Sequence, residues 1–203
     1  MKKKLFTDIN IKRIDDFLDK HLETAKNLRD GAPPFSSVEI SINGACNRRC
    51  FFCPRVDKEG YPNILSSLNM KVFDELLSDL DSINYQGRIA FSGFCEPLLS
   101  KNLDKYILKI KKKLTKTTVE VVSNGDPLLA KNGKERLTNL YKAGLDTIKI
   151  SLYDGPHQIE LFDNIKKDLN LSEEQYIVRK RYLGPDESFG ITISNRAGSV
   201  SLK

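Results

Sequence analysis

The chain has 203 residues, 39% hydrophobic and 30% charged, and a formal net charge of +6. Chains near this length bury roughly 70% of their unfolded surface, so one domain with a sizeable core is expected and a disordered chain is excluded. The start MKKKLF is basic but leads into no signal-peptide core, and no apolar run approaches the roughly 18 residues of a membrane span. These features point to a cytoplasmic protein without membrane contact.

Between Asp8 and Leu28, apolar residues at Ile11, Ile14, Leu18, Leu22, Ala25 and Leu28 predict a leading helix, stopped by Gly31 and the Pro33-Pro34 pair. Val38, Ile40 and Ile42 then alternate with Ser37, Glu39 and Ser41, which predicts a strand running into Asn43, Gly44 and a cysteine loop. A helix with Val72, Leu76, Leu80 and Ile83 on one face is expected next, followed by a strand from Arg88 to Phe91 that ends in SGFCEPLL. A helix from Leu103 to Leu114 leads to a strand Val119 to Val122 ending in SNGD. Within that stretch the basic run Lys109 to Lys116 reads as the solvated face of an amphipathic helix. A helix from Arg136 to Ala143, closed by Gly144, precedes a strand Thr147 to Ile150 ending in SLYDG. A helix from Ile159 to Leu169 and a strand from Gln175 to Tyr182 complete the series. Asp154-Gly155-Pro156 reads as a turn and His157 as a surface residue.

Strands alternating with helices imply parallel pairing through crossovers, because a tight hairpin cannot join parallel neighbours. The fold class is therefore α/β, with the sheet open or curled into a barrel. Ligands of such sheets gather beyond the C-terminal strand ends, where CNRRCFFCPR, CEP, SNGD and SLYDG all fall.

In CNRRCFFCPR the cysteines Cys46, Cys50 and Cys53 are spaced C-x3-C-x2-C. In a reducing compartment such a cluster reads as metal ligation rather than a disulfide framework. Two centres fit three thiolates on one loop: zinc with a fourth ligand from elsewhere, or a four-iron cluster with one iron left open. Neither His21 nor His157 has the paired neighbour typical of zinc knuckles, and Cys95 is the remaining thiol.

This loop, with Phe52 just before its last cysteine, resembles the cluster loop of the radical SAM superfamily. The resemblance extends from Val38 to about Tyr182 and implies a partial (β/α)6 barrel of parallel strands. It also implies a [4Fe-4S] cluster on Cys46, Cys50 and Cys53 whose open iron takes S-adenosyl-L-methionine. By the same resemblance Glu96, in the Glu-Pro turn, accepts from the methionine ammonium, and Gly93 lets the backbone approach closely. Ser123 and Asn124 touch the ribose, Ser151 faces the cofactor, and Arg181, in preference to Arg179, reaches the methionine carboxylate. Cys95 stands where relatives commonly have Gly.

The activity so implied is reductive cleavage of S-adenosylmethionine to a 5′-deoxyadenosyl radical that abstracts hydrogen from a peptide or carbohydrate-type substrate. An RNA-modifying relative is the alternative. Beside these stand a zinc-stabilised nucleic-acid-binding module, supported by the basic balance, and an electron-carrying iron–sulfur protein. The implied electron donor is a reductant protein such as flavodoxin or ferredoxin. Three segments are expected: an N-terminal helical extension over 1–36, the radical SAM core over 37–185, and a strand and turn over 186–203. That last stretch resembles the entry into the auxiliary-cluster domain of SPASM-type members, so a longer native chain is expected.

Overall fold

The computed structural model describes residues 35–182. The leading helix expected between Asp8 and Leu28 and the strand and turn expected over 186–203 lie outside the described residues. The elements, in chain order, are β1 (Ser37–Ile40), β2 (Asn43–Gly44), β3 (Ile64–Ser67), α1 (Met70–Ser82), β4 (Arg88–Phe91), α2 (Leu103–Lys113), β5 (Thr118–Ser123), α3 (Gly133–Lys142), β6 (Thr147–Leu152), α4 (His157–Asp168) and β7 (Tyr176–Lys180). Short 3-10 turns follow the cysteine loop, β4 and β5, at Pro54–Val56, Pro97–Leu99 and Asp126–Leu129.

Five strands form one sheet in the order β1-β4-β5-β6-β7, every pair parallel, as the helix-strand alternation requires. Period-two alternation divides each strand between two faces. One face carries Ile40, Ile89, Phe91, Val119, Val121, Ile148, Ile150 and Leu152, all buried in a core shared with the helices. The opposite face carries Glu39, Ser41, Ser92, Val122, Ser151 and Arg179, which line a cavity. Toward the strands' N-terminal ends the cavity-side parity continues into charge. Lys149 Nζ lies 2.6 Å and Arg88 Nη1 3.0 Å from Glu120 Oε2, with Lys149 and Glu120 both buried.

The helix after the cysteine loop departs from expectation. The buried stripe of α1 is Phe73, Leu77 and Leu80, while Val72 is 51% and Ile83 37% exposed. Two nearly coincident helical stripes compete in this segment. The larger aromatic decides, because Phe73 packs edge-on against Tyr106 at 4.8 Å and tilted against Phe91 at 6.5 Å. Burying each such side chain stabilises the fold by roughly 1.5–3 kcal/mol. The lysines of α2 are more engaged than a freely solvated face: Lys109 pairs with Asp74 at 2.6 Å and Lys111 with Asp146 at 2.5 Å. His157 is exposed at the start of α4. No helix among the described residues is long and apolar enough to cross a membrane.

An element without a sequence signal is β3, which pairs antiparallel with β2 so that Asn43 opposes Ser67 and Gly44 opposes Ile64. All of its side chains are exposed, so it carries no inward apolar alternation. It pins both ends of the cysteine loop, giving Cys46 to Asn63 a fixed base.

Candidate functional site

Beyond the C-terminal strand ends lies a cavity of about 520 Å³, within the roughly 300–1,000 Å³ usual for small-molecule sites. Cys46, Cys50, Phe52 and Cys53 enter it from the loop after β1, and Gly93 and Glu96 from the turn after β4. Ser123 and Asn124 enter from β5, Ser151 from β6 and Arg181 from the end of β7. Every residue singled out in the sequence thus borders one space.

The cysteine loop is held by its own backbone and by Asn63. Cys53 N donates to Cys50 O at 2.9 Å, Cys46 N donates to Asn63 Oδ1 at 3.0 Å, and Asn63 Nδ2 donates to Cys46 O at 2.9 Å. Burial, then the nearby Cys53 and Cys46, push the Cys50 thiol up to about 11. Burial likewise raises Cys46, with Cys53 among the further causes. Holding Cys46 and Cys50 as thiolates in this half-buried place calls for a compensating positive charge, which is the chemistry of a metal centre. Among the described residues no three Cys, His, Asp or Glu side chains converge on a single ion. N–H groups also face Cys46 Sγ, from Arg48 N at 3.4 Å and Asn124 Nδ2 at 3.8 Å. Such donors tune iron–sulfur centres.

Cys95 borders the cavity but stands apart from this trio. Its thiol donates to Ser92 O at 3.4 Å, and its upward shift comes from burial first, with none of the other cysteines among the causes. Cys95→Ser is therefore expected to keep the iron content of reconstituted protein unchanged. A loss of one quarter or more of the iron by colorimetric assay would make Cys95 a ligand.

The x3 spacer of the motif holds Arg48, which the sequence reading passed over. Its Nε and Nη2 grip Asp126 at 2.7 and 2.6 Å, and its Nη1 and Nη2 grip Asp154, each at 2.6 Å. These two forks tie the cysteine loop to the ends of β5 and β6, and they hold the Asp154 carboxyl below its ordinary range. Tyr153 supports the same guanidinium from 5.8 Å. Asn47 adds a contact from its Nδ2 to Asp126 Oδ2 at 2.7 Å. The forks are partly exposed, at 17% for Arg48, 29% for Asp126 and 48% for Asp154. Solvent screening therefore limits their stability contribution to about 1–2 kcal/mol in all. Their larger effect is positional. Arg48→Ala is expected to lower the unfolding free energy by no more than about 1–2 kcal/mol and to speed amide exchange over the 46–53 loop at least tenfold. Exchange in that loop as slow as in the parent would remove the positional role.

Glu96 is 1% exposed, and its carboxylate is engaged within the protein. Oε1 accepts from Leu98 N at 2.9 Å and Ser123 Oγ at 2.8 Å, and Oε2 accepts from Asn124 N at 2.8 Å. A carboxylate has about four acceptor positions, so roughly one remains. Burial, only partly offset by these donors, pushes its pKa up to about 6. Ser123 Oγ also accepts from Gly125 N at 2.9 Å, so this hydroxyl is a strut between the β4 and β5 turns. Asn124 turns its Nδ2 to Asn47 Oδ1 at 2.8 Å and its Oδ1 to Asp126 N at 3.0 Å. Gly93 has φ +98°, and a Cβ there would lie 2.2 Å from Ser41 Oγ, so only glycine fits the turn.

Two further wall residues went unremarked in the sequence. Tyr153 stacks on Phe52 with ring centroids 5.3 Å apart. Arg55 is 6% exposed and donates from Nη1 to Asn63 Oδ1 at 2.9 Å, with Nε and Nη2 directed to the carbonyls of Phe94 and Gly44. With no carboxylate paired to it among the described residues, this buried cation works against the rise in the Cys46 thiol. An arginine directly after C-x2-C-P was the available signal.

A profile of the Radical SAM superfamily matches residues 40–175. The S-adenosyl-L-methionine-dependent 2-deoxy-scyllo-inosamine dehydrogenase of Niallia circulans is 28% identical over 165 residues, covering 81% of this chain and 60% of the relative. A GTP 3′,8-cyclase of Aquifex aeolicus is 30% identical over 155 residues, covering 74% of this chain and 45% of the relative. Among solved structures, BtrN in complex with AdoMet and 2-DOIA superposes with a TM-score of 0.60 at 23% identity, over 73% of this chain and 58% of that one, and so shares the fold. The chain spans about half the length of the curated relatives it matches. With the superfamily profile covering the parallel sheet and the cysteine loop together, the chain belongs to the radical SAM superfamily, and its cofactors are that superfamily's [4Fe-4S] cluster and S-adenosylmethionine.

Proposed function

We propose that this chain carries the cofactor-cleaving site of a radical SAM enzyme acting on a carbohydrate-type substrate. The observation that carries the reading is a cavity lined together by three cysteines of one loop, a buried carboxylate and two arginines of β7 and its end, at the C-terminal ends of parallel strands. When bound, the cluster and S-adenosylmethionine would supply one-electron reductive cleavage of the sulfonium to methionine and a 5′-deoxyadenosyl radical, which would take hydrogen from the substrate. Cys46, Cys50 and Cys53 hold the cluster, and Arg55 balances its negative charge. Glu96 offers its remaining acceptor position to the methionine ammonium, a charge-assisted contact. Gly93 lets the turn come close, Phe52 and Tyr153 wall off water, and Arg181 takes the methionine carboxylate. Asn124 and Ser151 meet the ribose, with Ser123 holding Asn124 in place through Glu96. A flavodoxin or ferredoxin in the reducing cytoplasm is the electron source, in keeping with four free cysteines.

The similarity to a dehydrogenase of 2-deoxy-scyllo-inosamine supports a polyhydroxylated, sugar-like substrate over a peptide. Anaerobic reconstitution, reduction with dithionite and chromatography of the products test the proposal. Four irons per chain and 5′-deoxyadenosine dependent on reductant are expected. Colourless protein with bound zinc and no 5′-deoxyadenosine would overturn it.

A further inference from the structure

The inner face of the sheet and the cysteine loop carry Arg48, Arg55, Arg88, Arg179 and Arg181. The first three are engaged: Arg48 by two aspartates, Arg55 by carbonyls and Asn63, and Arg88 by Glu120. Arg179 and Arg181 also border the cavity, yet among the described residues neither guanidinium has a hydrogen-bond or ion-pair partner. They lie two residues apart on β7 and its end, so both project to the same side.

S-adenosylmethionine brings one carboxylate together with a cationic sulfonium and an ammonium. One carboxylate satisfies one guanidinium in bidentate fashion, and a second guanidinium beside the cationic part of the cofactor is repelled unless another anion arrives. Register separates the two arginines. Arg181 lies two residues beyond Arg179 toward the C-terminal strand ends, with its N–H on Leu152 O at 2.7 Å, so it stands nearer the cysteine loop. Arg179 is paired across the sheet with Ser151, one layer deeper. Glu39 and Ser41 line the same cavity from β1, at the opposite edge of the sheet.

We infer that Arg179 forms a subsite for an anionic group, a carboxylate or a phosphate, on the substrate, so that the substrate is a negatively charged sugar-like molecule rather than a neutral one. The inference rests on the radical SAM reading of the cavity. It assigns Arg179 to the substrate and Arg181 to the cofactor, with Ser151, paired with Arg179 across the sheet, at the boundary between the two.

The test uses anaerobically reconstituted protein and begins with a calorimetric titration of S-adenosylmethionine. Inorganic phosphate and acetate are then titrated separately into the cofactor-loaded protein and followed by line broadening in their own NMR spectra. At least one anion is expected to bind beside the cofactor, phosphate alone marking a phosphorylated substrate and acetate a carboxylated one. In Arg179→Gln that binding is expected to weaken at least tenfold, with part of it restored in Arg179→Lys. Absence of anion binding, equal binding by Arg179→Gln, or displacement of the cofactor by the anion would each overturn the subsite. Failure of the first titration would remove the cofactor reading and the subsite with it, whereas cofactor binding without anion binding removes the subsite alone.

Discussion

A Cys50→Ala protein, reconstituted without oxygen, is expected to hold no four-iron cluster and to form 5′-deoxyadenosine only at background. Three thiolates on one loop leave no spare ligand, and Cys95 is hydrogen-bonded to Ser92 O away from the trio. With one sulfur removed, two thiolates remain for a centre that needs three from the protein. The substitution truncates a partly exposed side chain and orphans no buried hydrogen-bonding group, so the stability cost is about 1 kcal/mol or less. Circular dichroism and the urea midpoint should match the parent while absorbance near the iron–sulfur charge-transfer band vanishes. A variant that keeps four irons would remove Cys50 from the ligand set.

Glu96→Ala is expected to be the most damaging single change to the apoprotein's fold in this region. It leaves Leu98 N, Asn124 N and Ser123 Oγ without their acceptor, and each buried orphan costs about 1–3 kcal/mol. Against this stands relief from burying a charge. The folded carboxyl titrates near 6 against an ordinary value of 4.5, so the folded state holds more protons than the unfolded one across that window. Stability from this group is therefore greatest below pH 4.5 and declines as pH rises through 6, by on the order of 2 kcal/mol. The net loss in Glu96→Ala should be about 2–4 kcal/mol at neutral pH, a large share of a typical domain's stability. The parent-minus-variant difference in urea unfolding should be larger at pH 5 than at pH 7.5. A difference that does not change with pH would mean that Glu96 is not held in the dry, hydrogen-bonded state described. In cofactor-binding assays the same variant should lose about 1.5–3 kcal/mol, the worth of a hydrogen bond to a charged group.

The succession of strands and helices and the gathering of the polar strand ends on one side were legible because both rest on local patterns. The alternation of Val38, Ile40 and Ile42 with Glu39 and Ser41 separates the helix-facing side of β1 from the cavity side, and four polar strand ends in a parallel sheet fall on one side. The buried face of α1 was not legible, since Val72 and Phe73 begin competing stripes and only the aromatic partners Phe91 and Tyr106 decide between them. β3 escaped notice because exposed side chains carry no burial pattern. Asp154 reads locally as a turn residue, and Asp126 as the tail of a turn signal. Their shared task exists only once Arg48 is brought between them, across 78 and 106 residues. In Glu96 the sequence carries the prospect of a ligand contact but not the three internal donors that occupy most of it.

The Arg48 forks have a consequence for the order of assembly. Contacts of such long sequence separation form late, because the loop-closure entropy of the intervening chain must first be overcome. The two forks reach the ends of β5 and β6, which are adjacent in the sheet, so both can be held by Arg48 together only once those strands are paired. The local β2–β3 pair and Asn63 can close the base of the cysteine loop early, whereas its tie to the sheet through Arg48 is expected late, so the final setting of the metal-binding loop is expected to follow completion of the central sheet.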